Sequence, residues 1–167
     1  MSKAREMSAK EAAAQVRARD SIGIPLGPGQ PRSWLHALGE GEYEDLAISG
    51  ALLVDLFAVF AKPGVRLRSG FFGPAERALA AAGHAVEFVP ADFRRFAPIL
   101  ERSAPRIMAT AVTPPDADGN CSLALHAGAT VAELQRAGRD PDRLLVAEMH
   151  PDLPRTVGLP PEYPNAL

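Results

Sequence analysis

Short apolar runs alternate with helix-patterned stretches along most of the chain, and this alternation restricts the fold more than any other feature of the sequence. "DSIGI", "DLAIS", "VRLRS", "AVEFV", "RIMATAV" and "RLLVAEM" are each bounded by turn residues or by polar, periodic segments, which is the pattern of short buried strands. Between them "PRSWLHALGE", "PAERALAAAG", "ADFRRFAPILERS" and "ATVAELQRAG" have helical spacing, and Pro31 suits a first helical turn. "SAKEAAAQVRA" adds a helix at the start, where Ser8 and Glu11 have the spacing of a capping box. "GALLVDLFAVFA" reads as helical or irregular, "PLGPGQ" and "GFFG" as loops, and "SLAL" as a further short strand. Helices regularly interposed between strands predict an α/β fold. Its sheet is mostly parallel, with helices on both faces, because each crossover helix must bury its apolar side against the sheet.

The 167 residues are enough for one domain with a substantial core. Hydrophobic residues make up 47% and charged residues 23%, near the averages of soluble globular proteins, which favours neither a disordered nor a fibrous chain. The net charge is −2 and basic residues are interspersed with acidic ones, so neither nucleic acid nor an anionic membrane is an expected partner. "GALLVDLFAVFA" is too short for a transmembrane helix and contains Asp55. One cysteine and an amino terminus without an apolar signal core point to a reducing, cytoplasmic location. After His150 the periodicity ends and prolines recur at 151, 154, 160, 161 and 164, which leaves an irregular tail.

The stretch "TPPDADGNCSL" concentrates the residues that invite a chemical reading. Asp116, Asp118 and Asn120 open like a calcium loop, but Gly119 is misplaced and the closing glutamate is missing, so a reversing loop is expected and no metal. His36, His84, His126 and His150 lack metal-site spacing. Cys121 has no cysteine-nucleophile signature around it and is expected to be a small buried hydrophobe. Ser49 and Ser122 lack a nucleophile elbow. "GIPLGPGQP" sets Gly23, Gly27 and Gly29 between a strand and a helix, either as a tight turn or as a place where backbone approaches an anion. It matches neither the dinucleotide nor the P-loop pattern. Phe71 and Phe72 belong either to the core or to the apolar wall of a pocket.

Taken in order, "GIPLGPGQPRSWLHAL", "EDLAISGALL", "GVRLRSGFFGPAERALAAAGHAVEFVP", "VTPPDADGNCSLAL" and "LLVAEMHPDLPRTVG" resemble the amino-terminal domain of the acetyl-CoA hydrolase/transferase family. That family includes the 4-hydroxybutyrate and succinyl-CoA:acetate CoA-transferases. The resemblance implies an amino-terminal CoA-transferase domain over residues 1–158, and the proline-rich residues 159–167, which lie outside the resemblance, read as an irregular tail. It also implies acyl-CoA and a small carboxylate as substrates, with coenzyme A entering as a thioester and no bound cofactor. Catalysis in the family proceeds through a glutamyl-CoA thioester on a nucleophile in a second domain. None of Glu11, Glu40, Glu42, Glu44, Glu76, Glu87, Glu101, Glu133, Glu148 or Glu162 stands in the nucleophile's motif, so no catalytic residue is assigned.

What such a domain supplies is one wall of the cleft, and open α/β sheets place ligands at the carboxyl ends of their strands. The candidates there are Gly27, Pro28, Gly29 and Gln30 after the first strand, then Ser49 and Gly50. Gly70, Phe71 and Phe72 follow, and then Thr113, Pro114 and Pro115. Phe71 and Phe72 are candidates for shaping an acyl pocket, and Gln30 for donating to a carboxylate. The expected partner is a second CoA-transferase domain or subunit, or a further copy of the chain, since a face left without its companion favours association. The alternative is a stand-alone, non-catalytic α/β domain that binds a ligand or a partner.

Overall fold

The computed structural model describes residues 4–126 and 129–156. Six strands form one sheet: β1 (Arg19–Leu26), β2 (Asp45–Ala51), β3 (Val65–Ser69), β4 (Val86–Phe88), β5 (Ile107–Val112) and β6 (Leu144–Met149). Their order is β4-β3-β2-β1-β5-β6, and every pairing is parallel. The helices are α1 (Ala9–Ala13), α2 (Arg32–Leu38), α3 (Pro74–Ala81), α4 (Phe93–Ser103) and α5 (Val131–Arg139). The chain builds outward from β1 to β4, then crosses back to set β5 on β1's free side. The reversal of strand order therefore falls between β1 and β5.

The period-2 geometry of a strand divides its residues between two cores. Ile22, Ile24, Leu46, Ile48, Leu67 and Ile107 pack on one face against Trp34, Leu35 and Leu38 of α2, against Phe57 and Phe60 from the segment between β2 and β3, and against Leu79 of α3. Met108 faces the other way and meets Phe96 and Leu100 of α4 and Leu134 and Ala137 of α5. Gly23 lies on this second face, where an added Cβ would come within 2.5 Å of Met108 Sδ. The expected α/β architecture with helices on both faces is the observed one. β5 is buried at every position, whereas β6, at the sheet's edge, alternates between half-buried and exposed.

Two buried carboxylates anchor ion pairs between neighbouring elements. Asp20, whose side chain is 1% exposed, accepts from Arg106 Nε at 2.8 Å and from Arg106 Nη2. Burial pushes the Asp20 carboxyl up, but the Arg106 guanidinium and the N–H groups of Arg17 and Ser21 outweigh it and hold the pKa below the usual carboxylate value. Glu133, equally buried, pairs with Arg143 at 2.6 Å and Arg136 at 3.1 Å, and Arg136 also reaches Glu101 on α4 at 3.0 Å.

Local expectations changed in four places. The first helix is capped as its sequence predicts, with Glu11 N–H donating to Ser8 Oγ at 3.2 Å and Ser8 N–H to Glu11 Oε2 at 2.8 Å. It ends at Ala13, because Gln15 and Val16 donate three residues back and Asp20 captures the N–H of Arg17 at 3.0 Å. β1 continues through Pro25 to Leu26, into what reads as loop; its ladder to β2 is irregular between Gly23 and Leu26, where a missing N–H is tolerated. "SLAL" is not a strand: Ser122 Oγ accepts from Ala124 N–H at 3.1 Å and Ala124 is left-handed at φ 54°, which turns the chain. Cys121 is exposed rather than buried, since it stands on the outer limb of that turn. The boundary at 158/159, the tail and Glu162 lie outside the described residues.

Candidate functional site

The carboxyl ends of β1, β2, β5 and β6 converge on two shallow depressions separated by Pro28, which lines both. Pro28 sits in a single 3-10 turn, Gly27–Gly29, that links β1 to α2. The turn opens with Gly27 at φ 53°, a conformation glycine adopts without a Cβ penalty. Gly29 closes it beneath the ring of His126, and a Cβ at Gly29 would lie 2.6 Å from His126 Cγ.

Gln30 fixes this turn to the end of β2. Its side chain is 2% exposed, and its Nε2 donates to the carbonyls of Pro25 at 3.2 Å, Ala51 at 3.0 Å and Leu52 at 3.4 Å. Its Oε1 accepts from Val54 N–H at 3.1 Å. The amide is thus fully engaged by backbone. Leu52, which it helps to hold, is left-handed at φ 50°, a costly state for a residue with a Cβ. Glu76 of α3 completes the frame: its buried carboxylate accepts from Leu53 N–H at 3.3 Å, Ser69 Oγ at 3.2 Å and Gly73 N–H at 3.1 Å.

The first depression, about 500 Å3, is bounded by Leu26, Gly27, Leu52, Phe93, Arg94 and His126. It is an apolar trough with one cationic side chain. His126 Nε2 lies 2.7 Å from Thr130 Oγ1, and burial lowers the imidazole's pKa, so the neutral ring prevails near neutral pH. The second, about 550 Å3, carries more charged and polar side chains, with Gln30, Arg32, His36, Glu148 and His150 set among Pro28, Val54, Ala111 and Leu153. Arg32 donates to Asp55 at 2.9 Å and His36 Nε2 stands 3.4 Å from the same carboxylate. The Arg32 bond, the N–H of Leu56 and His36 together hold the Asp55 carboxyl below its ordinary pKa. Glu148 of β6 accepts from the N–H groups of Ser33 at 3.2 Å and Trp34 at 2.9 Å, capping α2 from across the sheet.

The candidates from sequence do not form one cluster. Gly27 and Pro28 border the first depression, and Pro28 and Gln30 the second. Ser49 and Gly70 border a separate gap of about 20 Å3 beside Phe96, and Gly50 packs on Ile24. Phe71 is half-buried against Phe93, ring centroids 5.3 Å apart, and Phe72 against Phe88 at 5.6 Å. Thr113 is buried, its Oγ1 accepting from Ser122 N–H at 2.9 Å, while Pro114 and Pro115 are exposed. "TPPDADGNCSL" is a reversing loop: Asp116 Oδ1 accepts from Asp118 N–H at 3.1 Å and Asn120 N–H at 2.8 Å, and Gly119 turns at φ 82°. Arg155 clamps it through Asp116 and through the Asn120 carbonyl at 2.9 Å. Sequence reasoning missed Leu52, Phe93, Arg94, Arg32 and Glu148. No local pattern marks them, because they meet only once the strands align. Among the described residues no group of side chains is arranged to hold a metal ion.

The molecule is therefore an α/β domain whose depressions lie at the carboxyl edge of a parallel sheet, beside its strand-order reversal. Comparison with known proteins places it further. No family model matches the chain. In sequence it is 28% identical over 153 residues to the succinyl-CoA:cyclohexane-1-carboxylate CoA transferase of Geobacter metallireducens, covering 89% of this chain and 34% of that protein. RipA from Yersinia pestis shares the fold, with a TM-score of 0.78 and 20% identity over 92% of this chain and 38% of RipA. The CoA-transferase likeness expected from the five stretches is met over most of the chain, which spans about a third of the length of the curated relative. Among the described residues no helix is long and apolar enough to cross a membrane.

Proposed function

We propose that this chain is the amino-terminal domain of an acyl-CoA:carboxylate CoA-transferase or acetyl-CoA hydrolase and forms one wall of its acyl-CoA cleft. The observation that carries this reading is the sequence likeness to a CoA transferase, which runs over 89% of the chain but 34% of the relative. The apolar trough beside Gly27, Leu52 and Phe93, with Arg94 at hand, is of a kind that seats an acyl chain next to an anionic group.

The nucleophile is a glutamate of a second domain or subunit. Its carboxylate oxygen attacks the thioester carbonyl, the C–S bond breaks, and CoA leaves as thiolate. The thiolate then attacks the glutamyl carbonyl of the resulting anhydride and expels the first carboxylate, which leaves a glutamyl-CoA thioester. A second carboxylate reverses these steps to become the new acyl-CoA, or water hydrolyses the thioester. The buried glutamates of this chain have other tasks: Glu76 and Glu133 hold backbone and arginines in place.

Incubating the purified chain with succinyl-CoA or acetyl-CoA and a carboxylate acceptor, with CoA species followed by chromatography, tests this. The chain alone gives background conversion, and addition of the remaining portion of a related CoA transferase raises it. Substantial turnover by the chain alone overturns the assignment. Binding of a ligand with no turnover in any combination supports a stand-alone, non-catalytic domain instead.

A further inference from the structure

Among the described residues β6 is the sheet's outer strand on one side, and its inner side is paired with β5: Leu144 N–H donates to Arg106 O at 2.8 Å and His150 N–H to Val112 O at 2.9 Å. In a strand, alternate residues point their backbone groups to opposite sides. The even positions of β6 therefore face β5, and Leu145, Ala147 and Met149 turn their N–H and C=O groups outward. The same three residues are the exposed ones, Leu145 by 43% and Met149 by 44%. An open edge with apolar side chains is a template for another strand. Natural edges are blunted by lysine, proline, a bulge or a charged side chain; β6 has no lysine, proline or bulge, and its one charge, Glu148, is turned onto the α2 amides rather than out along the edge.

We propose that this edge pairs with β6 of a second copy of the chain, antiparallel, with Ala147 on the two-fold axis. Three observations select that occupant. First, Ala147 is an outward-pointing residue at the middle of the exposed set, so an axis there keeps outward residues opposite outward ones and sets Leu145 against the partner's Met149. Second, the exposed side chains read large, small, large about Ala147, so a two-fold axis there places apolar groups opposite apolar groups. Third, the single charge within β6, Glu148, opposes the partner's Val146, and no like charges face one another. The pairing also places the partner's Val146 beside a groove of about 390 Å3 that runs along β6 next to Met7, Ala12 and Trp34. This edge is distinct from the carboxyl-end depressions, so the inference stands whether or not the CoA-transferase reading does.

Light scattering on the size-fractionated 167-residue chain at micromolar concentration gives twice the chain mass. Ala147→Pro removes an outward N–H, leaves the bonds to β5 in place, and reduces the mass to that of a monomer. Leu145→Lys with Met149→Lys does the same by opposing lysines. Leu145→Lys with Met149→Glu restores the dimer, since the register sets 145 opposite the partner's 149. Circular dichroism shows that each variant is folded. A monomeric parent overturns the proposal, as does a dimer indifferent to both disruptive variants or a charge-swapped pair that stays monomeric.

Discussion

Replacing Gln30 by alanine tests whether the turn between β1 and α2 is held by one side chain. The amide donates to the carbonyls of Pro25 and Ala51, both buried residues, and accepts from Val54, which is exposed enough for water to replace the bond. Two buried carbonyls left without donors cost about 1–3 kcal/mol each. Release of the ordered glutamine side chain returns up to about 2 kcal/mol. The net loss is about 3 kcal/mol. Urea unfolding followed by the fluorescence of Trp34, the chain's one tryptophan and 1% exposed, measures it directly. Gln30→Glu sharpens the test, because a carboxylate there faces three carbonyl oxygens and is driven toward its protonated form, which can donate. Its folded pKa lies above the unfolded value of about 4.3, so the variant's stability falls as pH rises through that interval and recovers in acid. A Gln30→Ala variant within about 0.5 kcal/mol of the parent would refute the reasoning.

Asp20 predicts acid sensitivity: its folded pKa is lowered, so its contribution is intact above about pH 4 and is lost as pH falls through the folded value. Between pH 5 and 2 the urea midpoint of Asp20→Asn should therefore change less steeply than the parent's. Cys121 is exposed and should react stoichiometrically with a thiol reagent in the native protein, without waiting for unfolding; protection until urea is added would contradict its placement. Gly64→Ala should lose at least about 2 kcal/mol in the same unfolding assay, since φ is 76° and the added Cβ would lie 2.2 Å from the backbone oxygen of Tyr43.

The layers of the fold were legible because strand and helix periods differ. "RIMATAV" became the fully buried β5 and "ADFRRFAPILERS" became α4, whose Phe96 and Leu100 fall one helical turn apart on the buried side. Positions governed by hydrogen bonds to distant backbone were not legible. Nothing beside Gln30 announces that its amide serves carbonyls about twenty residues away, nor beside Glu148 that it caps α2. Cys121 was misread for a related reason. Its apolar neighbours "SLAL" look like a strand, yet Ser122 turns them with its hydroxyl. Of the residues expected at the cleft, Gly27 and Pro28 border the apolar trough, and the residues that join them there come from three other parts of the chain.

The cap that Glu148 places on α2 also orders events in time. Its partner amides lie 115 and 114 residues earlier in the chain, so α2 leaves the ribosome without its terminal acceptor. β1, the centre of the finished sheet, likewise has β5 on one side only after more than eighty further residues have been made. At about 5–20 residues per second, the wait for Glu148 is on the order of ten seconds. β1 thus waits first for β5 and α2 then for β6, and the second depression beside Pro28, which takes Ala111 from β5 and Glu148 from β6, closes only once both strands have emerged.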